Sequence, residues 1–187
     1  PRLWESSQKQ NLLRSSILGI LRQVVEAVGP LHNVAPRLHA TIYPLIAYSV
    51  DTRHPESIYL SDDGLALWEA VLKATPLFCK DLLSLLPGIL PLLELDFSRT
   101  KTIMSIVASY ILIGGIDFMK TSSSIVVQSF DLVLKHARSE CAVHVVQTMD
   151  LIFQCYPKEA IVVMKSPICL IAAIAANTIK SSNAANV

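Results

Sequence analysis

The chain has 187 residues, with 16 Lys and Arg against 15 Asp and Glu and a formal charge of +1. With 52% hydrophobic and only 17% charged residues, at a mean hydropathy of +0.47, it is not a disordered chain, which would lack the apolar surface needed to offset ordering. Its basic residues are dispersed, which argues against the clustered Lys and Arg of a nucleic-acid surface. Aromatic residues are only 6%, so the core must come from Leu, Ile, Val and Ala, which interdigitate well between helices.

Helical periodicity runs along the whole chain, and no alternating run bounded by hairpin signals marks a strand. Leu13, Ile17, Leu21, Val24 and Val28 form a first apolar stripe, with Arg14, Arg22 and Glu26 off it. Gly29-Pro30 ends that helix, since Gly suits the cap and Pro cannot continue the turn. A second helix is expected from Ala35-Pro36 to Val50, with Pro44 inside it and a loop at 51–57. Ser61 or Asp62 is expected to cap a third, burying Leu65, Trp68 and Leu72 and ending at Thr75-Pro76. Leu82, Leu86, Ile89 and Leu93 follow on a helix bent by Pro87 and Pro91. From Ser98, Ile103, Ile106, Val107, Tyr110 and Ile111 form a wide face that Gly114-Gly115 stops. Asp117 then caps a helix burying Met119, Val126, Phe130 and Val133. A helix from Ser139 buries Ala142, Val145, Val146, Met149, Ile152, Phe153 and Tyr156. Pro157 restarts the chain, which runs on to Lys180 with a break near Ser166-Pro167.

These elements read as helix pairs opening near residues 5, 61, 98 and 139, with later intervals of about forty residues, as in HEAT-type repeats. The expected organisation is an all-α solenoid of HEAT/armadillo-like pairs at 1–57, 58–97, 98–138 and 139–180, with 181–187 a frayed tail. The abrupt start at Pro1 suggests a piece of a longer protein. The apolar runs 103–116, 82–95 and 168–176 are short or interrupted, below the ~20 residues of a membrane helix, so no membrane insertion is expected.

Catalytic and metal signals are weak. Cys79, Cys141, Cys155 and Cys169 have no metal-ligand spacing and read as buried free thiols in a reducing compartment. His32, His39, His54, His136 and His144 are scattered, with no HExxH-like pair. No GxSxG elbow surrounds Ser122-Ser123-Ser124, and Gly114-Gly115 lacks a following Walker Lys. Asp62-Asp63 reads as capping, and Trp4 and Trp68 as packing residues. No enzyme, metal or cofactor is expected. One constellation stands out: Ser124, Gln128, Asp131 and Lys135, at i, i+4, i+7 and i+11, form a line opposite Phe130. On the second helix of a pair, this polar ridge is a candidate protein-binding surface.

The run Tyr59-Leu60-Ser61-Asp62-Asp63-Gly64-Leu65-Ala66-Leu67-Trp68 carries an LxxDGLxLW pattern. It resembles the importin-β superfamily of nuclear transport receptors, in its importin-eleven-like branch. Pro91-Leu92-Leu93-Glu94-Leu95 and Gln128-Ser129-Phe130 fall where similar residues are expected, and the resemblance covers about Val50 to Leu134. It implies a middle-to-C-terminal stretch of a HEAT superhelix that imports protein cargo, is regulated by the Ran GTPase, contacts nucleoporin Phe-Gly repeats, and shuttles between nucleus and cytoplasm. The main Ran grip belongs to N-terminal repeats outside this stretch. Two other readings stay open on the residues alone: a generic HEAT scaffold of phosphatase or vesicle-coat type, and a helical membrane protein.

Overall fold

The computed structural model describes residues 10–29, 35–75 and 80–184. Trp4, Pro30, His32, Pro76 and Cys79 lie outside these residues, as do the side chains of Pro36 and His39. The elements are α1 (Asn11–Val28), α2 (Ala35–Val50), α3 (Ser57–Ala74), α4 (Lys80–Leu85), a 3-10 turn at Leu86–Gly88, and α5 (Ile89–Leu95). A second 3-10 turn at Phe97–Arg99 leads into α6 (Thr100–His136), followed by α7 (Ser139–Cys155), α8 (Pro157–Val163) and α9 (Lys165–Ala184). Among the described residues there is no strand. The fold is all-α, a stack of helix pairs.

The breaks fall where residue chemistry demands them. Gly29 closes α1 at φ 58°, with its N–H donating to the Val25 carbonyl. Pro87 sits in the first 3-10 turn and bends the α4–α5 segment. Pro157 opens α8 at its first turn, where no intrahelical N–H is needed. Between α8 and α9 the chain bends by 70° at Met164, two residues before the expected Ser166 break. Residues 181–184, expected to fray, belong to α9.

α6 is two helices. Gly115 takes φ 60° and ψ −157°, a conformation almost confined to glycine. Unbroken, residues 110 and 118 would be separated by about 12 Å along the axis. Instead the rings of Tyr110 and Phe118 stack with centroids 5.8 Å apart, so the chain folds back on itself. We call the halves α6a (100–114) and α6b (116–136). Asp117 is exposed in the first turn of α6b, where a carboxylate suits the helix dipole. By length and composition the 97–136 helix could cross a membrane, but half of its most apolar stretch is buried inside the fold and Gly115 breaks it.

The first helices of the pairs lie side by side in register. Arg22, Val25, Glu26 and Gly29 of α1 share a groove with Ala66, Glu69, Ala70 and Lys73 of α3, an offset of 44 at all four positions. Lys101, Met104, Ser105 and Ala108 of α6a share another with His144, Gln147, Thr148 and Leu151 of α7, offset by 43. A constant offset means that the facing helices run parallel, as successive repeats must. Between α3 and α6a, Arg99 Nε donates to Asp62 Oδ1 at 2.5 Å and Ser105 Oγ to Glu69 Oε1 at 2.6 Å. α2 packs on α3, while α5 and α9 pack on α6. The core runs through this stack, with Leu18, Ile42, Leu60, Trp68, Ile89, Tyr110, Phe130 and Ile152 fully buried.

The expectations for the inward face of α1 and for the start of α3 need correction. The innermost residues of α1 are Arg14, Leu18 and Val25, at 3%, 0% and 2% exposure; Ile17 and Leu21 of the expected stripe pack half-buried against the core, whereas Val24 is 40% exposed. α1 carries apolar residues on two overlapping stripes, and the partners of Arg14 decide between them. Its guanidinium donates to the Tyr48 hydroxyl at 2.9 Å and pairs with the Glu56 carboxylate. Nor do Ser61 or Asp62 cap α3, which already opens at Ser57. A tight loop, in which Asp51 accepts from the Arg53 N–H and the His54 carbonyl accepts from Ser57 N–H, starts the helix early. Asp62 and Asp63 therefore lie in its second turn.

Candidate protein interface

The predicted ridge lies on α6b. Ser124, Gln128 and Lys135 are exposed, and Asp131 is half-buried against α9. Lys135 Nζ stands 3.9 Å from Asp131 Oδ2, which also accepts from Ser166 Oγ at 2.7 Å. Asp131 Oδ1 is buried and accepts no hydrogen bond. The ridge is thus a polar strip with a pinned carboxylate at its centre. Ser166 escaped the sequence reading because it lies 35 residues away on α9, and no spacing rule connects it to Asp131.

Among the described residues, three grooves open between elements. The α1–α3 groove, of about 360 Å³, carries its own neutralisation: Arg22 lies 3.7 Å from Glu26, and Lys73 lies 2.5 Å from Glu69. Burial pushes the Glu69 carboxyl up, but hydrogen bonds from Lys73 and Ser105 outweigh it and hold Glu69 below its usual range. The second groove, about 460 Å³, is floored by Ala47, Val50, Leu85 and Pro87 and bordered by the Asp51–Arg53 ion pair at 2.7 Å. Hydrogen bonds from the Arg53 side chain hold the Asp51 carboxyl down at about 2, against the upward push of desolvation. The third, between α6a and α7, is about 440 Å³.

Other residues that the sequence singled out are structural or solitary. His54 stacks on Tyr48 at 4.8 Å and stands 3.6 Å from Asp51. His144 is half-buried in the α6a–α7 groove. Among the described residues, no group of three or more His, Cys, Asp or Glu could hold a metal ion. The cysteines depart from expectation. Cys141 is half-buried with its thiol 3.6 Å from the Phe97 carbonyl, but Cys155 and Cys169 are exposed. Helical spacing did not reveal this, because the outer faces of α7 and α9 are themselves apolar, with Val143, Ile168 and Ile174 exposed, and with them Val146, which was expected in the core.

The LxxDGLxLW stretch works as a clamp. Asp63 Oδ2 accepts from Ser15 Oγ of α1 at 2.5 Å, and Asp62 accepts from Arg99 at the start of α6a. Gly64 lets α2 approach so closely that a Cβ there would lie 2.6 Å from Ser49 Cβ. Leu65, Leu67 and Trp68 are buried. Trp68 Nε1 donates to Tyr110 OH at 3.0 Å, and that hydroxyl donates to the Leu82 carbonyl of α4. One helix turn and its neighbour thereby bind four other elements.

A family model described as importin-11-like TPR repeats matches residues 15–182. The chain belongs to the importin-11-like family. It is 32% identical over 150 residues to human importin-11, covering 80% of this chain and 15% of that protein. Mouse importin-11 is 31% identical over the same length. The importin beta-like protein kap113 of Schizosaccharomyces pombe is 24% identical over 160 residues, covering 86% of this chain and 16% of kap113. The chain thus spans about 15% of the length of the curated relatives it matches. No solved structure matches it. Importin-11-like membership bears out the resemblance carried by Tyr59 to Trp68. The helix-pair stack described above agrees with a family defined by helical repeats.

Proposed function

We propose that this chain is one stretch of a nuclear import receptor's superhelix, and that it contributes protein-binding surface without chemistry. The observation that carries this reading is the match of an importin-11-like family model to residues 15–182. The stacked architecture supports it: in such a stack each helix pair is covered by its neighbours while one long face stays free for a partner. The repeat units we assign are 1–57, 58–97, 98–138 and 139–180. Protein cargo docks on the ridge of Ser124, Gln128, Asp131 and Lys135. Regulation by GTP-loaded Ran, contact with nucleoporin Phe-Gly repeats and shuttling between nucleus and cytoplasm belong to the whole receptor, with the main Ran grip outside this stretch.

The test uses the full-length receptor. Its GTP-loaded Ran affinity and its nuclear accumulation are measured first. Binding together with nuclear entry supports the import reading, whereas no Ran binding with cytoplasm-only residence favours a generic scaffold. The charge reversals Asp131→Lys and Lys135→Glu are then introduced into the receptor, and cargo recovered from nuclear extract by wild type is compared. Retention of Ran binding with loss of cargo places the contact on the ridge. Unchanged cargo recovery removes the ridge from the proposal.

A further inference from the structure

The three grooves differ in one electrostatic respect. In the α1–α3 groove both cations have carboxylate partners within the groove, Arg22 with Glu26 and Lys73 with Glu69. In the groove beside Pro87, Arg53 is held by Asp51. The α6a–α7 groove is different: Lys101 and His144 line it, no carboxylate does, and Lys101 makes no ion pair within 4 Å among the described residues. Glu69, whose charge Lys101 supports, is already engaged by Lys73 and Ser105. Lys101 also sits in the first turn of α6a, where the helix dipole disfavours a cation and an anion is the complementary guest. Between the two helices the lining sets apolar Met104, Ala108 and Leu151 beside polar Ser105, Gln147 and Thr148, and Leu151 is the large half-buried apolar side chain among them.

We propose that the α6a–α7 groove docks an acidic peptide segment of a partner protein, with a carboxylate on Lys101 and a small apolar side chain against Leu151. The charge complementarity is local, since the other two grooves satisfy their own cations and this one does not. The proposal rests on this groove alone and is independent of the α6b ridge, which lies on the second half of the same broken helix. Binding is modest and salt-sensitive, because Lys101 is exposed and its attraction is screened within about 8 Å at physiological ionic strength.

The probes are fluorescein-labelled synthetic peptides, Glu-Glu-Glu-Leu-Glu-Glu, the same with Ser for Leu, and Lys-Lys-Lys-Leu-Lys-Lys. Their binding to this chain is read by fluorescence anisotropy at low and physiological salt. The expected result is saturable binding of the Leu-containing acidic peptide, about tenfold weaker with Lys101→Glu and weakened less by Lys101→Gln. Lys158→Glu, the same charge change on exposed α8 outside both the groove and the ridge, leaves it within about twofold, and the Ser peptide binds several-fold more weakly. Circular dichroism checks that each variant keeps its helix content. Equal binding by wild type and Lys101→Glu overturns the proposal. So does equal weakening by Lys158→Glu, equal binding of the basic or Ser peptide, or no saturable binding of any peptide.

Discussion

Two residues show how much of this fold hangs on single atoms. Gly64 is in ordinary helix, yet a methyl group there would meet Ser49 Cβ at 2.6 Å, closer than side chains can approach without a backbone shift. Gly64→Ala is therefore expected to cost about 1–3 kcal/mol by overpacking. Gly88→Ala, at helical φ −65° and with nothing within 4 Å of the new methyl, is expected to be neutral or to stabilise by up to about 1 kcal/mol. Urea denaturation of the pair reads the contrast, and equal effects would refute the close-approach account. Asp51 supplies the acid dependence. Its folded value of about 2 lies below the ordinary value of an unfolded chain, so its stabilisation is present above about pH 4. It is lost as the pH falls towards 2. Melting temperatures between pH 5 and pH 2 should fall more steeply for wild type than for Asp51→Asn, and high salt should narrow the gap, because Arg53 is exposed. Asp96 and Glu56 are held low as well, by hydrogen bonds from Ser98 and from the Tyr48 hydroxyl respectively. They should steepen both curves alike.

At the scale of elements, the sharpest feature is the fold-back at Gly115. It turns one apolar run into two partners, and the stacked rings of Tyr110 and Phe118 join the halves. Any L side chain at φ 60° and ψ −157° is strained by about 1–3 kcal/mol. Gly115→Ala is expected to lower the melting temperature while leaving the helical circular dichroism near wild type, since either half can remain helical. Gly19→Ala, at a helical position of α1 with nothing within 4 Å of the new methyl, is the control and should be neutral or stabilising by up to about 1 kcal/mol. An equal effect at both positions would show that the break does not depend on positive φ. The helix breaks were legible beforehand because Gly and Pro act through their own backbones. The inward face of α1 was not. Two apolar stripes of similar strength competed there, and the winner was set by Glu56, 42 residues away, which pairs with Arg14.

At the scale of the whole molecule, stability should be graded along the stack. α3 and α6a are covered from several sides, whereas α1 leaves Leu12, Ile20 and Val24 exposed and α8 leaves Ile161 and Val162 exposed at 68% and 76%. In a repeat stack each unit is stabilised mainly by its neighbours. Amide hydrogen exchange is therefore expected to be slowest around Leu67 to Leu72 and Ile103 to Tyr110, and faster in α1 and α8 by an order of magnitude or more. Uniform protection from α1 to α9 would contradict this picture.

The all-helical class, the breaks at Gly29, Gly115 and Pro157, and the kinship with the importin-11-like family could be read from the sequence alone. Each rests on local quantities: 3.6-residue periodicity, the backbones of Gly and Pro, and the run from Leu60 to Trp68. The polar ridge was also visible, since four residues at helical spacing must share a face. The tertiary structure alone decided that Arg14 turns inward, that Asp62 and Asp63 bind across helices instead of capping one, and that Ser166 pins Asp131. It alone revealed that Lys101 faces a groove holding no carboxylate. The reason is range: periodicity reports one helix at a time, while these four outcomes depend on which side chains from distant segments arrive at the same place.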